Sequence, residues 1–348
     1  VSTPAARRGV RAAMEDALAL SDAVRGTTSP NPPVGAVILD ADGHRVGAGA
    51  TQPPPGPHAE VVALREAGRR ARGGTAVVTL EPCAHHGRTP PCTRALLDAG
   101  VAAVRFAVPD PHPAASGGGE VLRAAGVDVE AGPLADEVAA GPLRAWLHRE
   151  RTGRPHVTWK YAATLDGRVA AADGSSRWIS GPVSRAEVHA IRAAADAVVV
   201  GTGTVLADDP WLTVRGDDGA LAARQPLRVV VGTRGIPGGA RVLDSAAETI
   251  VLDSHDPDEV LAVLGDRGVV DVLLEGGPTL AGAFVAGRRV DRLLAYVAPA
   301  LLGAGAVALG PAGVSTVTEA HRWRVETATM SGEDVRISAV PVTGEGGD

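Results

Sequence analysis

The feature that most constrains this chain is an alternation of short apolar, β-rich runs with helix-period segments, interrupted once, at Thr152-Gly153-Arg154-Pro155. Gly and Pro in that order close a helix and keep the following residue extended, so the break reads as a boundary. Before it, Val10, Met14, Ala17, Leu18, Ser21 and Val24 share one helical face and predict a helix over 6–24. The spacing then predicts strands over 34–39 and 45–50 around an Asp42-Gly43 turn, a helix over 58–71 and a strand over 75–80. A helix over 93–99, a strand over 101–108, and helices over 120–125 and 134–151 complete this half. After the break, strands are expected over 156–162, 197–201, 227–232, 249–252, 269–274 and 291–297, with helices over 185–194, 258–264 and 280–286. This alternation predicts layered α/β domains, and 348 residues suffice for two. We place them over residues 1–150 and 154–343. Residues 217–225 and 344–348 read as solvated segments, and no internal repeat is present.

Composition enters by exclusion. A net charge of −6 gives no global basic field for nucleic acid, and 3% aromatics leave few stacking platforms, although a local basic pocket for a phosphate stays open. No apolar run reaches the roughly 18–20 residues of a membrane span. Arg7 and Arg8 are not followed by an apolar signal core. A soluble cytoplasmic protein is therefore expected, with its two cysteines as reduced thiols rather than a disulfide.

Chemistry concentrates where strands and helices meet. His58-Ala59-Glu60 stands at a predicted helix start, Glu81-Pro82-Cys83 at a strand end, and Cys92 at the start of the next helix. One imidazole and two thiolates form a three-ligand zinc set that leaves a fourth position for water, whose pKa the metal lowers. A carboxylate two residues from the ligand His can carry protons without binding metal. The order matches the zinc nucleobase deaminase pattern of His-x-Glu followed by Pro-Cys-x-x-Cys. Here the second half is stretched, with eight residues between the cysteines. The extra loop brings His85, His86 and Arg88 near the metal, where they can hold an anionic group such as a sugar phosphate. His-Ala-Glu alone is usually a surface helix start, and paired cysteines alone usually pack. Their order and context together argue for a zinc site.

The stretched motif Glu81-Pro82-Cys83-Ala84-His85-His86-Gly87-Arg88-Thr89-Pro90-Pro91-Cys92, with Ser29-Pro30-Asn31-Pro32-Pro33-Val34-Gly35 upstream, closely resembles the bifunctional deaminase/reductase family of riboflavin biosynthesis. The resemblance implies a cytidine-deaminase-like three-layer α/β/α domain. It would deaminate 2,5-diamino-6-ribosylamino-4(3H)-pyrimidinone 5′-phosphate, with Asn31 on the pyrimidine and Arg88 on the phosphate. Asp110-Pro111-His112-Pro113 resembles the family's Asp-Pro-Asn-Pro turn, which places Asp110 with the substrate contacts. His112, Ser116 in Ala115-Ser116-Gly117, and Thr51, where some members carry His, depart from the pattern.

In the second half, Val198 to Val205 reads as a buried strand ending in glycines, and Leu273 to Leu280 as a strand, a Gly-rich turn and a helix. Backbone amides at such turns can approach a pyrophosphate, yet a structural turn explains them equally well. Lys160 to Gly167, Trp178-Ile179-Ser180, Gly201 to Arg215 and Glu275-Gly276-Gly277 resemble the reductase half of the same family. That implies a dihydrofolate-reductase-like α/β fold using NADPH to reduce the ribosyl chain to ribityl. Carried over, Ala162, Trp178, Thr204, Asp208, Thr233, Gly277, Pro278, Thr279, Leu280, Ala281, Gly282 and Ala283 would face the cofactor. Ser176, Arg192, Leu212, Arg215 and Glu275 would face the substrate. Lys160 is expected as proton donor and Asp208 as its orienting group or a ribose contact. Gly232 replaces the Asp that relatives often carry before Thr233.

The expected partner is thus a small phosphorylated pyrimidine, not nucleic acid or membrane, with a homo-oligomer left open. The competing readings are a deaminase fused to a non-catalytic nucleotide-binding or oligomerisation module, a nucleic-acid deaminase, and a structural zinc protein with His85 or His86 as fourth ligand.

Overall fold

The computed structural model describes residues 4–85, 90–112, 116–216 and 218–342. The chain divides into two compact units, Val1–Gly153 and Arg154–Asp348.

The first unit runs α1 (Pro4–Ala23), β1 (Gly35–Leu39), β2 (Arg45–Ala50), α2 (Ala59–Ala67), β3 (Thr75–Leu80), α3 (Cys92–Ala99), β4 (Ala103–Val108), α4 (Gly118–Ala124), β5 (Asp128–Ala131), α5 (Ala135–Ala140) and α6 (Arg144–Thr152). Its sheet has the order β2-β1-β3-β4-β5, with β3, β4 and β5 parallel and β1 antiparallel to both neighbours. Two close approaches show how the layers form. A Cβ on Gly35 would lie 1.9 Å from the Ala17 carbonyl oxygen of α1. One on Gly49, paired with Ala36 on the other face of β1, would lie 2.6 Å from the Ala63 nitrogen of α2. Residues 35 and 36 point to opposite faces of the strand, so α1 and α2 cover opposite sides of the sheet. The three-layer α/β/α arrangement follows.

The second unit runs β6 (His156–Thr164), α7 (Pro182–Ala194), β7 (Ala197–Gly201), α8 (Thr202–Asp208), β8 (Leu227–Val231), β9 (Thr249–Leu252), α9 (Pro257–Asp266), β10 (Asp271–Leu274), α10 (Pro278–Ala286), β11 (Arg292–Ala298), β12 (Trp323–Ser331) and β13 (Asp334–Pro341). The eight-stranded sheet has the order β12-β13-β11-β6-β10-β7-β8-β9, parallel except where β13 joins β11 and β12. The central strands β7 and β10 read as nearly unbroken apolar runs because both faces are buried. Val199, Val229, Val272 and Leu274 pack with Val260 and Leu264 of α9 and Phe284 of α10. Val198, Val200, Val230 and Leu273 pack on the other side with Val205 of α8, Leu212 and Val242. At the start of the unit, Arg154 donates to both oxygens of Asp291 at 2.6 and 2.8 Å, and Asp291 also accepts the Val157 amide at 2.9 Å.

Several expectations need correction. The helix expected over 134–151 is two helices, because Pro142 has no N–H to continue the ladder and Gly141 before it leaves the helical region. The apolar run from Val198 turns helical at Thr202. The helix over 58–71 ends at Ala67 and continues as a 3₁₀ turn over Gly68–Ala71. The strand β5 and the terminal hairpin of β12 and β13 were unanticipated. β5 buries only Val129, and β12 is exposed along most of its length, so neither carries an apolar alternation. Residue 217 and residues 344–348 of the expected solvated segments lie outside the described residues.

Gly35→Ala is expected to destabilise the first unit by on the order of 3 kcal/mol, because the methyl group meets backbone rather than a movable side chain. Urea denaturation measures this, and an unchanged midpoint would mean that α1 and β1 do not approach this closely.

Candidate functional site

Three local junctions build the first site. His58 caps α2, Cys92 opens α3, and Cys83 follows the end of β3. The exposed N–H groups and positive ends of two helices therefore face the cysteines, an environment that favours thiolate. The Cys92 amide donates to the Cys83 sulfur at 3.4 Å. His58 Nδ1 lies 3.2 Å from Cys92 Sγ and 3.7 Å from Cys83 Sγ. All three ligand atoms fall within 4.8 Å of one another. Zn–S near 2.3 Å and Zn–N near 2.0 Å place tetrahedral ligands roughly 3.5–3.8 Å apart, so this set fits zinc.

The electrostatics agree. The Cys92 side chain, followed by His58, holds the Cys83 thiol at about 4 against the upward push of burial. Cys92 is driven up by Cys83, with burial and Glu60 adding to the effect. A site that repels its second thiolate is one where an added cation relieves the repulsion. Glu60, in the first turn of α2, is 4% exposed, and burial pushes its carboxyl above the ordinary range.

A cavity of about 350 Å³ opens beside this cluster. Asn31, Thr51, His58, Glu60, Cys83, His85, Asp110 and His112 line it. Thr51 has a structural task there, since its hydroxyl accepts the Val34 amide at 3.2 Å. Asp110 is 8% exposed and raised by burial; its Oδ1 accepts the His112 amide at 2.9 Å. Glu81 accepts from the Asp110 and Gly119 amides at 3.1 and 2.8 Å, fixing the loop that carries Asp110. His85 is exposed and, among the described residues, is not part of the ligand cluster. His86 and Arg88 lie outside the described residues. Sequence reasoning missed Trp146 and Glu150, which reach the cavity from α6. Their i, i+4 spacing on a helix was the available signal.

The second unit holds a cavity of about 1120 Å³, lined in part by Lys160, Ala162, Ser176, Trp178, Arg192, Thr204, Asp208, Leu212, Arg215, Glu275, Gly277 and Pro278. Its floor is a buried ion pair. Arg192 donates to both oxygens of Glu275 at 2.5 and 2.8 Å. Burial pushes Glu275 up, but Arg192, with help from Lys160, outweighs it and brings the carboxyl to about 2. Arg192 is correspondingly raised despite burial. Burial lowers Lys160, partly opposed by Glu275. Asp208 lies with Ser176, whose hydroxyl donates to it at 3.1 Å. Trp178 is 70% exposed, with the Arg185 guanidinium 4.5 Å above its ring. Arg215 stacks on Trp211 at 5.5 Å.

Other expected cofactor residues sit apart. Leu280 and Ala281 are packed in the core, and a Cβ on Gly282 would meet the Pro311 oxygen at 2.4 Å. Of this turn, Gly277 and Pro278 line the cavity, and Thr279 is exposed. Thr233 is exposed, its hydroxyl 3.3 Å from His255 Nε2, and it does not line the cavity. Gly232 has φ 135°, and a Cβ there would lie 2.7 Å from the Thr202 hydroxyl. An Asp would strain this backbone.

Comparisons with known proteins agree with this division. Residues 9–108 match the family model of the cytidine and deoxycytidylate deaminase zinc-binding region, and residues 155–337 match the RibD C-terminal domain. The riboflavin biosynthesis protein RibD of Mycobacterium tuberculosis is 57% identical over 333 residues, covering 96% of this chain and 98% of that protein. Its Escherichia coli counterpart is 40% identical over 361 residues, covering 94% and 98%. A solved diaminohydroxyphosphoribosylaminopyrimidine deaminase/5-amino-6-(5-phosphoribosylamino)uracil reductase from Thermotoga maritima has a TM-score of 0.88 at 32% identity, covering 97% of this chain and 99% of that one. One form of Acinetobacter baumannii RibD gives 0.86 at 37%, covering 97% and 100%.

The depressed Glu275 fixes the sign of a pH effect. Its folded value of about 2 lies below the ordinary 4.5, so its contribution is complete above about pH 4.5 and is lost as pH falls toward 2. The loss should be about 3 kcal/mol. Glu275→Gln should remove this acid dependence and cost roughly 3–5 kcal/mol at neutral pH, since it strands Arg192. Urea titrations of both proteins from pH 3 to 7 test this; superimposable profiles would refute it.

Proposed function

The chain belongs to the RibD family of bifunctional deaminase/reductases of riboflavin biosynthesis, and from that premise we propose which of its residues carry each reaction. In the first unit, His58, Cys83 and Cys92 hold zinc. Zinc, once held there, supplies Lewis acidity toward a water molecule in the position the protein leaves open. Glu60 takes a proton from the attacking water and returns it to the ring nitrogen and the departing amine. Its place in the first turn of α2, two residues from His58, keeps it beside the reacting carbon without making it a ligand. Asn31 orients the pyrimidine and Asp110 holds the substrate nearby. His85 and Arg88 meet the phosphate. The substrate is 2,5-diamino-6-ribosylamino-4(3H)-pyrimidinone 5′-phosphate. The observation that carries this half is the convergence of one imidazole and two thiols within 4.8 Å at two helix starts.

In the second unit, NADPH supplies the reducing equivalents. Ala162, Trp178, Thr204, Asp208, Thr233 and the turn over 277–283 form its side of the site. Ser176, Arg192, Leu212, Arg215 and Glu275 form the substrate's side. Lys160 makes no hydrogen bond among the described residues, and burial loosens its proton. It donates that proton to the sugar oxygen as the chain is reduced to ribityl. Asp208 and Ser176 hold the ribose hydroxyls through their shared hydrogen bond. Several ionisable side chains gathered in one cavity, Lys160, Arg192, Asp208, Arg215 and Glu275 among them, support a catalytic second half over a passive module.

Two variants separate the halves. Glu60→Ala should retain about one zinc per chain, by the three-ligand logic, and lose deamination, while reduction of the deaminated intermediate continues. Lys160→Ala should keep deamination and slow reduction by about 10²-fold or more. Metal analysis and NADPH absorbance read these outcomes. Undiminished deamination in Glu60→Ala would sink the first assignment, and undiminished reduction in Lys160→Ala the second.

A further inference from the structure

His189 lies on α7, one turn before Arg192, and lines the larger cavity. Neither sequence pattern nor the roles assigned above use it. Its imidazole stands in the electrostatic field of Arg192 on its own helix, Lys160 on β6, Glu275 beyond β10 and Arg215 from the loop after α8. The Arg192 charge is already satisfied by both oxygens of Glu275. Lys160 shares the field of that carboxylate, so the positive charge of Arg215, whose hydrogen bond goes to the neutral Gly219 carbonyl, remains available to a ligand. Burial, followed by Arg192, lowers the pKa of His189, so the ring is neutral at pH 7.

The two ring nitrogens differ. Nδ1 is sealed from solvent and has no hydrogen-bond partner among the described residues. Nε2 makes no protein hydrogen bond either, but it is not sealed, and the ring borders the cavity. A neutral imidazole carries one N–H. Placing the proton on Nε2 lets it reach solvent or a ligand, whereas an N–H at Nδ1 would be stranded. The network thus assigns the proton to Nε2, directed toward the cavity.

We propose that His189 contacts the substrate of the reductase half, donating Nε2–H to an oxygen of its phosphate group. This rests on the reading of the second unit as a reductase of a phosphorylated sugar-pyrimidine. A phosphate monoester is the part of such a ligand that matches the unspent charge of Arg215. That side chain supplies long-range attraction, and the imidazole supplies direction. Arg192 and Glu275, besides their place on the substrate's side, brace α7 against the end of β10.

The test measures binding of the phosphorylated ribitylaminouracil product and of its dephosphorylated form to the full chain by calorimetry. His189→Leu should weaken the phosphorylated ligand about tenfold, in line with a lost hydrogen bond to a charged acceptor. It should leave the dephosphorylated ligand within about twofold. His189→Gln, which can present a side-chain N–H from a similar position, should recover most of the loss. Thermal melts confirm that both variants fold. Equal affinity of wild type and His189→Leu for the phosphorylated ligand overturns the proposal, as does an equal loss for both ligands. If the wild-type chain binds neither ligand, the reductase reading falls, and this inference with it.

Discussion

A parallel strand buried on both faces can offer chemistry only where it stops. In both units most of the sheet interior is filled by Val, Ala, Leu and Ile, and most side chains there are committed to packing against a helix. Polar groups are therefore pushed to the strand ends, where backbone N–H groups of the next helix are unpaired and the helix dipole favours negative charge. Cys83 after β3, Cys92 at the start of α3 and Glu275 between β10 and α10 all obey this rule. The first site is the stronger case, because two helix starts converge on one pair of sulfurs. The same geometry that favours one thiolate crowds the second. A zinc ion resolves this conflict, and that is why the ligand set reads as a metal site rather than as two packed cysteines.

Like Arg228, which sits within β8 but is held by Asp244 and backbone carbonyls, Lys160 breaks the rule, and it shows the cost. It projects from within β6, not from its end, and a buried ammonium there is unfavourable unless compensated. Glu275 provides the opposite charge, but Glu275 is itself committed to Arg192 in two hydrogen bonds. The three side chains form a chain of partial compensation: Arg192 keeps the carboxylate ionised, and the carboxylate opposes the loss of the Lys160 proton. Removing Arg192 would raise Glu275, and removing Glu275 would lower Lys160 further. A proton donor set this way holds its proton less tightly than an exposed lysine.

What the sequence disclosed follows the strength of the local signal. The alternating strands and helices, the zinc ligands and Glu60 were legible because each depends on neighbours a few residues away. Lost to it were features that only three-dimensional packing creates. The split at Gly141-Pro142 was written in the chain but overridden by a longer apolar period. The hairpin of β12 and β13 lacks that period, since much of β12 faces outward. Trp146 and Glu150 reach the first cavity only because α6 folds back onto the unit it terminates. In the second half, sequence resemblance supplied a turn over 277–283 as a block. Packing divides that block between two lining residues, Gly277 and Pro278, an exposed Thr279, and Leu280 and Ala281, which are sunk in the core.

The departures from the family pattern yield to the same physical reasoning, though unequally. Gly232 occupies a backbone conformation with positive φ, and the Thr202 hydroxyl fills the space a side chain would need. The loss of an Asp there is thus tied to the local path of the chain, not to a free choice of side chain. Thr51, where some members carry His, puts a short hydroxyl on the wall of the first cavity, and that hydroxyl accepts the Val34 amide. His112 does the reverse. It adds an imidazole at the cavity wall, while its backbone amide still donates to Asp110. Both positions lie on the wall of the first cavity and neither belongs to the His58, Cys83 and Cys92 cluster, so these departures rewrite outer contacts while the candidate ligands stay in place.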